Sequence, residues 1–365
     1  MNLINTNQML ENINLIETIR YLLLIFGSGI TAFVIATAIT PYFIKFLHKN
    51  KLGKQIRETS AGGDKAHLFR KLHLKKSGTP TMGGVLIWGV TILVVLISIF
   101  LAPPYLDIIN HSLLNRQETY LPIFTLLAAA FLGLVDDYFN IRNIGGKKGI
   151  SIKPKLFWLT LLGVLGGLWF HYKLGYDQIH IPGVGDIALG WIYIVLFALV
   201  IIATANAVNF TDGLDGLAGG LLIIAFGSFA VIAYLEGLLI LSAFCATLMG
   251  ASLAFLWFNI PPAKFMMGDT GSLSLGATLG VIAMLTDSIA VLPLIGFIFV
   301  IEALSVIIQL VSKKLFKKKV FTIAPIHHHF ENKGWSESTI VMRFWILGAI
   351  FATFGLIIGL LSHVE

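Results

Sequence analysis

Side chains able to do chemistry recur in short clusters, each at the edge of a long apolar run. Asp136-Asp137 follows Phe131-Leu132-Gly133-Leu134-Val135, and Asn209, Asp212 and Asp215 are spaced by three. Asp269 stands in Gly268-Asp269-Thr270-Gly271-Ser272, and His327-His328-His329 lies between Ile326 and Phe330. Adjacent carboxylates repel, so at the edge of an apolar segment Asp136 and Asp137 require a cation, a proton or a hydrogen-bond donor. At the end of a helix they also oppose the macrodipole, where a stop chosen for stability would carry Lys or Arg. On a helix, Asn209, Asp212 and Asp215 share one broad face. Gly213, Gly216, Gly219 and Gly220 between and after them allow a ligand or another helix to come close. Asp269 reads as a helix cap, or, with the free amides of the first turn, as part of an anion site. Oxygen ligands beside a basic surface select a hard cation, and Mg²⁺ takes one or two carboxylates plus phosphates and waters. The chemistry this implies is group transfer at a phosphate or pyrophosphate. Adjacent histidines do not converge on one zinc ion, so the histidine run reads as phosphate binding or proton donation by imidazole. The single Cys245 rules out an internal disulfide, an iron–sulfur cluster and a cysteine zinc site.

These clusters must be held by membrane helices. Of 365 residues, 56% are hydrophobic and only 12% charged, about half the charge of a soluble globular protein, and the mean hydropathy is +0.85. Apolar runs of about 20 residues, enough to cross a bilayer, recur from end to end. The reading is an all-α polytopic integral membrane protein, a single transmembrane catalytic domain over residues 1–365. About ten transmembrane helices are expected, over 19–45, 80–101, 120–135, 156–172, 188–206, 216–235, 238–257, 271–286, 289–312 and 342–362. The first twenty residues carry Glu11 and Glu17 and lack a positive region before the apolar run, so the first span is expected to be retained rather than cleaved.

The basic residues set the orientation. Segments 45–77, 136–155, 258–270 and 313–343 hold 23 of the 26 Lys and Arg, leaving Arg20, Arg116 and Lys173 for the alternate set. Lys and Arg accumulate on cytoplasmic loops, so both termini are expected to be periplasmic and the polar clusters cytoplasmic. Net charge +7 follows from that retention and from attraction to anionic lipids; no separate domain exists to bind nucleic acid. Pro80-Thr81-Met82-Gly83-Gly84, on the same side, reads either as a plain helix start or as part of the site. Glu302 and Gln309 share a face of the ninth span, where an acid inside the membrane is a site or a buried hydrogen bond. A GxGxxG fingerprint, a Walker A sequence and an internal repeat are all absent.

Taken in order, PTMGG (80–84), DDY (136–138), NFTDGLDGLAGG (209–220), MGDTGS (267–272) and HHHFE (327–331) closely resemble the bacterial phospho-N-acetylmuramoyl-pentapeptide transferases. These belong to the polyprenyl-phosphate N-acetylhexosamine-1-phosphate transferase superfamily. The resemblance runs from about residue 45 to 331, and HHHFE with PTMGG favours the muramoyl-pentapeptide branch. It implies ten transmembrane helices, Mg²⁺ dependence and a bacterial inner (cytoplasmic) membrane location. It also implies transfer of phospho-MurNAc-pentapeptide from UDP-MurNAc-pentapeptide to undecaprenyl phosphate, giving lipid I and UMP, the first membrane step of peptidoglycan synthesis. A homodimer is the family expectation. Residue by residue, Asp269 resembles the Mg²⁺ ligand, and Asp136 the base acting on the lipid phosphate, with Asp137 beside it. Asn209 and Asp212 match residues of the metal and phosphate site, Asp215 one near the uridine, and His327 and His328 essential histidines. Lys76, Thr81, Asn259, Gly268, Ser272, Gln309 and Ala324 align with substrate or inhibitor contacts, and Lys155 with a basic residue near the pyrophosphate. The chain departs from the family after Asp136-Asp137-Tyr138, where Phe139-Asn140 replaces a common basic residue and Arg142 is the nearest substitute.

Two alternatives compete. A UDP-GlcNAc:undecaprenyl-phosphate GlcNAc-1-phosphate transferase keeps the chemistry and changes the donor. A metal-coupled secondary transporter would use Asp212, Asp215, Asp269 and Glu302 for flux without UMP release; such pathways concentrate polarity at the bilayer midplane, whereas these clusters sit at span ends.

Overall fold

The computed structural model describes residues 2–53, 78–101, 112–115, 117–143 and 149–361. Lys76, one of the residues expected to touch substrate, lies outside them. The chain is built mostly of helices: α1 (Asn2–Lys49), α2 (Gly84–Leu101), α3 (Tyr120–Arg142), α4 (Ile152–Trp169), α5 (Ile192–Thr211), α6 (Leu217–Leu235), α7 (Leu239–Asn259) and α8 (Asp269–Leu285). The short α9 (Leu292–Ile295), α10 (Phe297–Leu315), the short α11 (Ile326–Asn332) and α12 (Glu337–Leu361) complete it. Among the described residues, α1, α3, α5, α6, α7 and α12 are long and apolar enough to cross a membrane. α2 and α8 are apolar and somewhat shorter.

Several boundaries differ from the sequence reading, each for a local reason. α3 runs on to Arg142, so Asp136 and Asp137 lie inside its last two turns rather than beyond its end. α5 stops at Thr211, and Asp212–Gly216 form a turn in which Gly216 adopts φ +81°. Asn209, Asp212 and Asp215 therefore do not share one helix face, and Asn209 and Asp215 meet different partners. The expected ninth span splits into α9 and α10, with Pro293 in the opening turn of α9, a position where its missing N–H costs no helical bond. The all-helical reading also missed a hairpin: β1 (Gln178–Ile181) pairs antiparallel with β2 (Gly185–Ala188), with Gln178 opposite Ala188 and Ile181 opposite Gly185. The sequence carried its signal in Pro182-Gly183-Val184-Gly185, where both glycines adopt positive φ.

α8 is the centre of the bundle: Thr270 through Leu285 are all buried, against α3 and α5 along its length. α7 lies between α1 and α6, and α12 closes against α6. Lipid offers apolar side chains no less than a protein core does, so such helices associate through close packing of small residues. A Cβ at Gly133 of α3 would strike the carbonyl of Asp269, and one at Gly250 of α7 would strike Gly29 of α1. The exposed apolar residues lie on the peripheral helices, for example Phe26, Phe100, Phe131 and Met342, as expected of lipid-facing surface. Between helices, Glu118 Oε2 accepts from the N–H groups of Ile240 and Leu241 at 3.0 and 2.9 Å, capping the free amides that open α7.

At the end of α8 remote from Asp269, Glu236 follows α6. Burial first, then the charge of Asp287, raises its carboxyl from the ordinary 4.5 to about 8, with a Ser288 hydrogen bond opposing. An acid whose pKa is raised on folding binds more protons folded than unfolded, so stability falls as pH rises from about 4.5 to about 8. Glu236→Gln should therefore raise the thermal midpoint at pH 8.5 and leave it nearly unchanged at pH 5. Unfolding curves in detergent at the two pH values test this; an equal shift at both would refute it.

Candidate active site

Three helix ends bring the charged residues together. Asp136 on α3 and Asp269 at the start of α8 both bind the ammonium of Lys155 on α4, at 3.0 and 2.6 Å from Nζ. These side chains are only 2%, 15% and 13% exposed, respectively, so the pairing is sheltered from screening. Asp136 Oδ1 also accepts from the N–H of Ile150. From α5, the Asn209 amide donates to Asp269 Oδ1 at 3.0 Å and to Ser272 Oγ at 2.8 Å. Asp269, Asp136, Lys155, Asn209 and Ser272 therefore form one connected cluster, and all five were readable as candidates from the sequence.

Asp137 points the other way. Its carboxylate accepts from the N–H groups of Asp269 and Thr270, each at 3.1 Å. It is the cap that Asp269 was expected to be for itself, supplied from another helix, and charge-assisted bonds of this kind are strong. Gly268, at φ +76°, is the turn that allows it: a Cβ there would meet Asp137 Oδ2 at 2.5 Å and Thr81 Oγ1 at 2.7 Å. The PTMGG segment is a strap for the same turn. Pro80 C=O accepts from Met266 N–H, and the N–H groups of Gly83 and Gly84 donate to Met266 and Met267 C=O, all at 2.8 Å. Thr81 is buried beside Gly268, and its N–H donates to Leu52 C=O at 2.9 Å.

Other expected site residues stand around this cluster rather than in it. Asp212 ends α5 one turn beyond Asn209, half-buried. Asp215 Oδ2 accepts from Ala263 N–H at 3.0 Å, while its own N–H donates to Glu337 Oε1 at 2.6 Å. Asn259 bridges the same turn, accepting from Gly216 N–H at 2.9 Å and donating to Phe265 C=O at 2.8 Å. Both thus hold the 212–216 turn to the loop before α8. Gln309 is likewise a clamp, accepting from Val320 and Phe321 N–H at 3.1 and 2.9 Å and donating to Phe321 C=O at 2.9 Å. That clamp leads through the half-buried Ala324 into α11, where His327 Nδ1 lies 3.0 Å from Glu302 Oε2 and His328 Nδ1 lies 2.6 Å from Glu331 Oε2. Arg142 lies over the ring of Tyr138, 5.8 Å from its centroid, on its own helix. Sequence reasoning missed Glu337 and Gly133: the first opens a helix far along the chain, and the second is one glycine among 36.

Mg²⁺ fits this donor set on one observation: two carboxylates from different helices already converge on a single cation, the Lys155 ammonium. Among the described residues no three His, Cys, Asp or Glu side chains gather as a metal site, so an ion here would take its remaining ligands from substrate phosphates and water.

Comparison with known proteins covers the same elements. The model of Glycosyl transferase family 4 matches residues 120–287, from α3 through α8, and the phospho-N-acetylmuramoyl-pentapeptide-transferase signature 1 matches residues 76–87, the strap. The chain is 40% identical over 341 residues to the phospho-N-acetylmuramoyl-pentapeptide-transferase of Geobacillus sp. strain WCH70, covering 90% of this chain and 96% of that one. It is 41% identical to the Shouchella clausii protein of that name, over 90% and 96% of the two chains. Identity to the Bacillus subtilis protein is 39%, over 89% and 95%. With about nine-tenths of the chain aligned to proteins of that name at 39–41% identity, the chain belongs to the phospho-N-acetylmuramoyl-pentapeptide-transferase family.

Proposed function

We propose that this protein transfers phospho-MurNAc-pentapeptide from its UDP donor to undecaprenyl phosphate, releasing UMP and forming lipid I. The observation that carries the chemistry is the convergence of Asp136 and Asp269 on Lys155, framed by Asn209 and the capped start of α8. The lipid phosphate oxygen attacks the phosphorus that bears the sugar, and the bond to the UMP phosphate breaks. One pyrophosphate linkage is exchanged for another, so no further energy source is needed.

In this reading Asp136 accepts the proton of the incoming lipid phosphate, freeing its oxygen for attack. Lys155 offsets the charge of the pyrophosphate, and Asn209, itself held by Ser272 Oγ, fixes the carboxylate of Asp269. Asp137 works at one remove, through the backbone of Asp269 and Thr270. Asp269, with Asn209 and Asp212 at the adjoining end of α5, would hold Mg²⁺, which when bound neutralises charge on the transferring phosphoryl group. Positioning and charge neutralisation supply most of the rate in such a transfer, and direct attack by the lipid phosphate needs no residue beyond these. The distribution of Lys and Arg supports ten spans with both termini periplasmic and the site on the cytoplasmic face of the bacterial inner membrane. There the soluble donor and the inner-leaflet lipid phosphate meet.

The reading is tested by UMP release from purified protein in detergent with Mg²⁺ and undecaprenyl phosphate. Release is expected with UDP-MurNAc-pentapeptide and not with UDP-N-acetylglucosamine, and should stop when the lipid is omitted or EDTA is added. Release only with the second donor would move the protein to a sister branch, and none from folded protein with either would restore the transporter alternative. Asp269→Ala should cut turnover by about 10²-fold or more and abolish the response to added Mg²⁺; a retained Mg²⁺ activation curve would exclude Asp269 as the ligand. Lys155→Met leaves Asp136 and Asp269 facing each other without their cation, and should also cost about 10²-fold in turnover. Wild-type kcat in that variant would show the ammonium to be a spectator.

A further inference from the structure

Glu302 is the acid that the reaction scheme leaves unused. It lies on α10, 0% exposed, in a helix otherwise apolar through Phe297–Ser305. A buried carboxylate inside a membrane helix is costly, and pairing it is weak grounds for a purely stabilising role. Its Oε2 meets His327 Nδ1 at 3.0 Å, and His327 is also 0% exposed. A carboxylate only accepts hydrogen bonds, so the Nδ1 proton points at Glu302. The other ring nitrogen, Nε2, is buried and has no hydrogen-bond partner among the described residues. It faces Gly213: a Cβ at that glycine would collide with Nε2. Gly213 sits in the turn that directly follows Asn209 and Asp212. Two otherwise unexplained features, an acid in a membrane helix and a glycine inside the 209–216 motif, thus meet on one imidazole ring.

We propose that Glu302 is a positioning residue for His327: it holds Nδ1–H and thereby fixes Nε2 as the nitrogen presented at the Asp212–Gly216 turn to the bound substrates. Gly213 supplies the space that this ring orientation needs. The dyad keeps the same nitrogen facing Gly213 whether the ring is neutral or charged, because Nδ1–H is donated in both forms. His328, whose Nδ1 pairs with Glu331, has its own carboxylate and cannot substitute.

The inference rests on the transferase reading, and wild-type UMP release separates the two: no release from the wild type would sink that reading, not this one. Steady-state kinetics are measured for E302L, E302Q, E302D, H327A and the double variant E302L/H327A, with thermal midpoints alongside. E302L should lower kcat about 10- to 100-fold with little change in donor KM, since on this proposal it misorients an imidazole beside the 209–216 motif and removes no binding contact. The double variant should be no slower than H327A, because Glu302 acts only through that ring. E302Q retains an acceptor oxygen at the same reach and should keep most of the turnover, whereas E302D withdraws it by one methylene and should not. Wild-type kcat in E302L, or losses that multiply in the double variant, would overturn the assignment. Should E302L not fold, E302Q and E302D decide it, and equal turnover in those two would overturn it.

Discussion

Backbone amides at the start of a buried helix need acceptors, and in this protein the acceptor is Asp137. Its two oxygens take the first N–H groups of α8, which ties the end of α3 to the centre of the bundle. Asp269 is the first residue of that helix, so the same two bonds that satisfy the amides also place its carboxylate. Asp136, the next residue back on α3, then faces a different direction and meets Lys155. Neighbouring residues on a helix point about 100° apart. One dipeptide can therefore cap a helix with its second carboxylate and build a charged cluster with its first. The strap from Pro80 to Gly84 and the bare Cα of Gly268 are the steric conditions of this arrangement.

The cluster obeys the general rule for charge in a low-dielectric setting, that each buried ion is paired and hydrogen-bonded. Asp136, Asp269 and Lys155 share charge, and Asn209 occupies the remaining oxygen of Asp269. One ammonium is shared by two carboxylates, so the cluster carries more acidic than basic side chains. Glu302 and His327 repeat the rule on the other side of the 212–216 turn, and Asp215, Asn259 and Glu337 fasten the turn itself. The motif at 209–216 therefore serves three neighbours at once: the carboxylate cluster through Asn209, the imidazole through Gly213, and the loop before α8 through Asp215.

How much of this was legible in the chain depends on whether the cause was local. Apolar runs, turn residues and the uneven placement of Lys and Arg are local or additive, and they disclosed a helical membrane protein. The order and chemistry of the five motifs disclosed the family, and with it Asp136, Asp269, Asn209, Lys155 and the histidines as candidates. Periodicity misled where the backbone turned: three oxygen-bearing side chains spaced by three suggest one helix face, but α5 ends at Thr211 and Asp212 leaves the helical conformation before Asp215 is reached.

What the sequence by itself determined was therefore the class of molecule and the chemistry its polar residues can perform, because these follow from composition and local pattern. Which oxygen meets which donor was decided by the tertiary structure alone. Asp137 caps a helix 132 residues away, Glu302 finds His327 25 residues on, and Asp215 meets Glu337 across 122. None of these pairings leaves a trace in local spacing. They arise because packed helices exclude water, and a polar group cut off from water takes the partner that the packing brings to it.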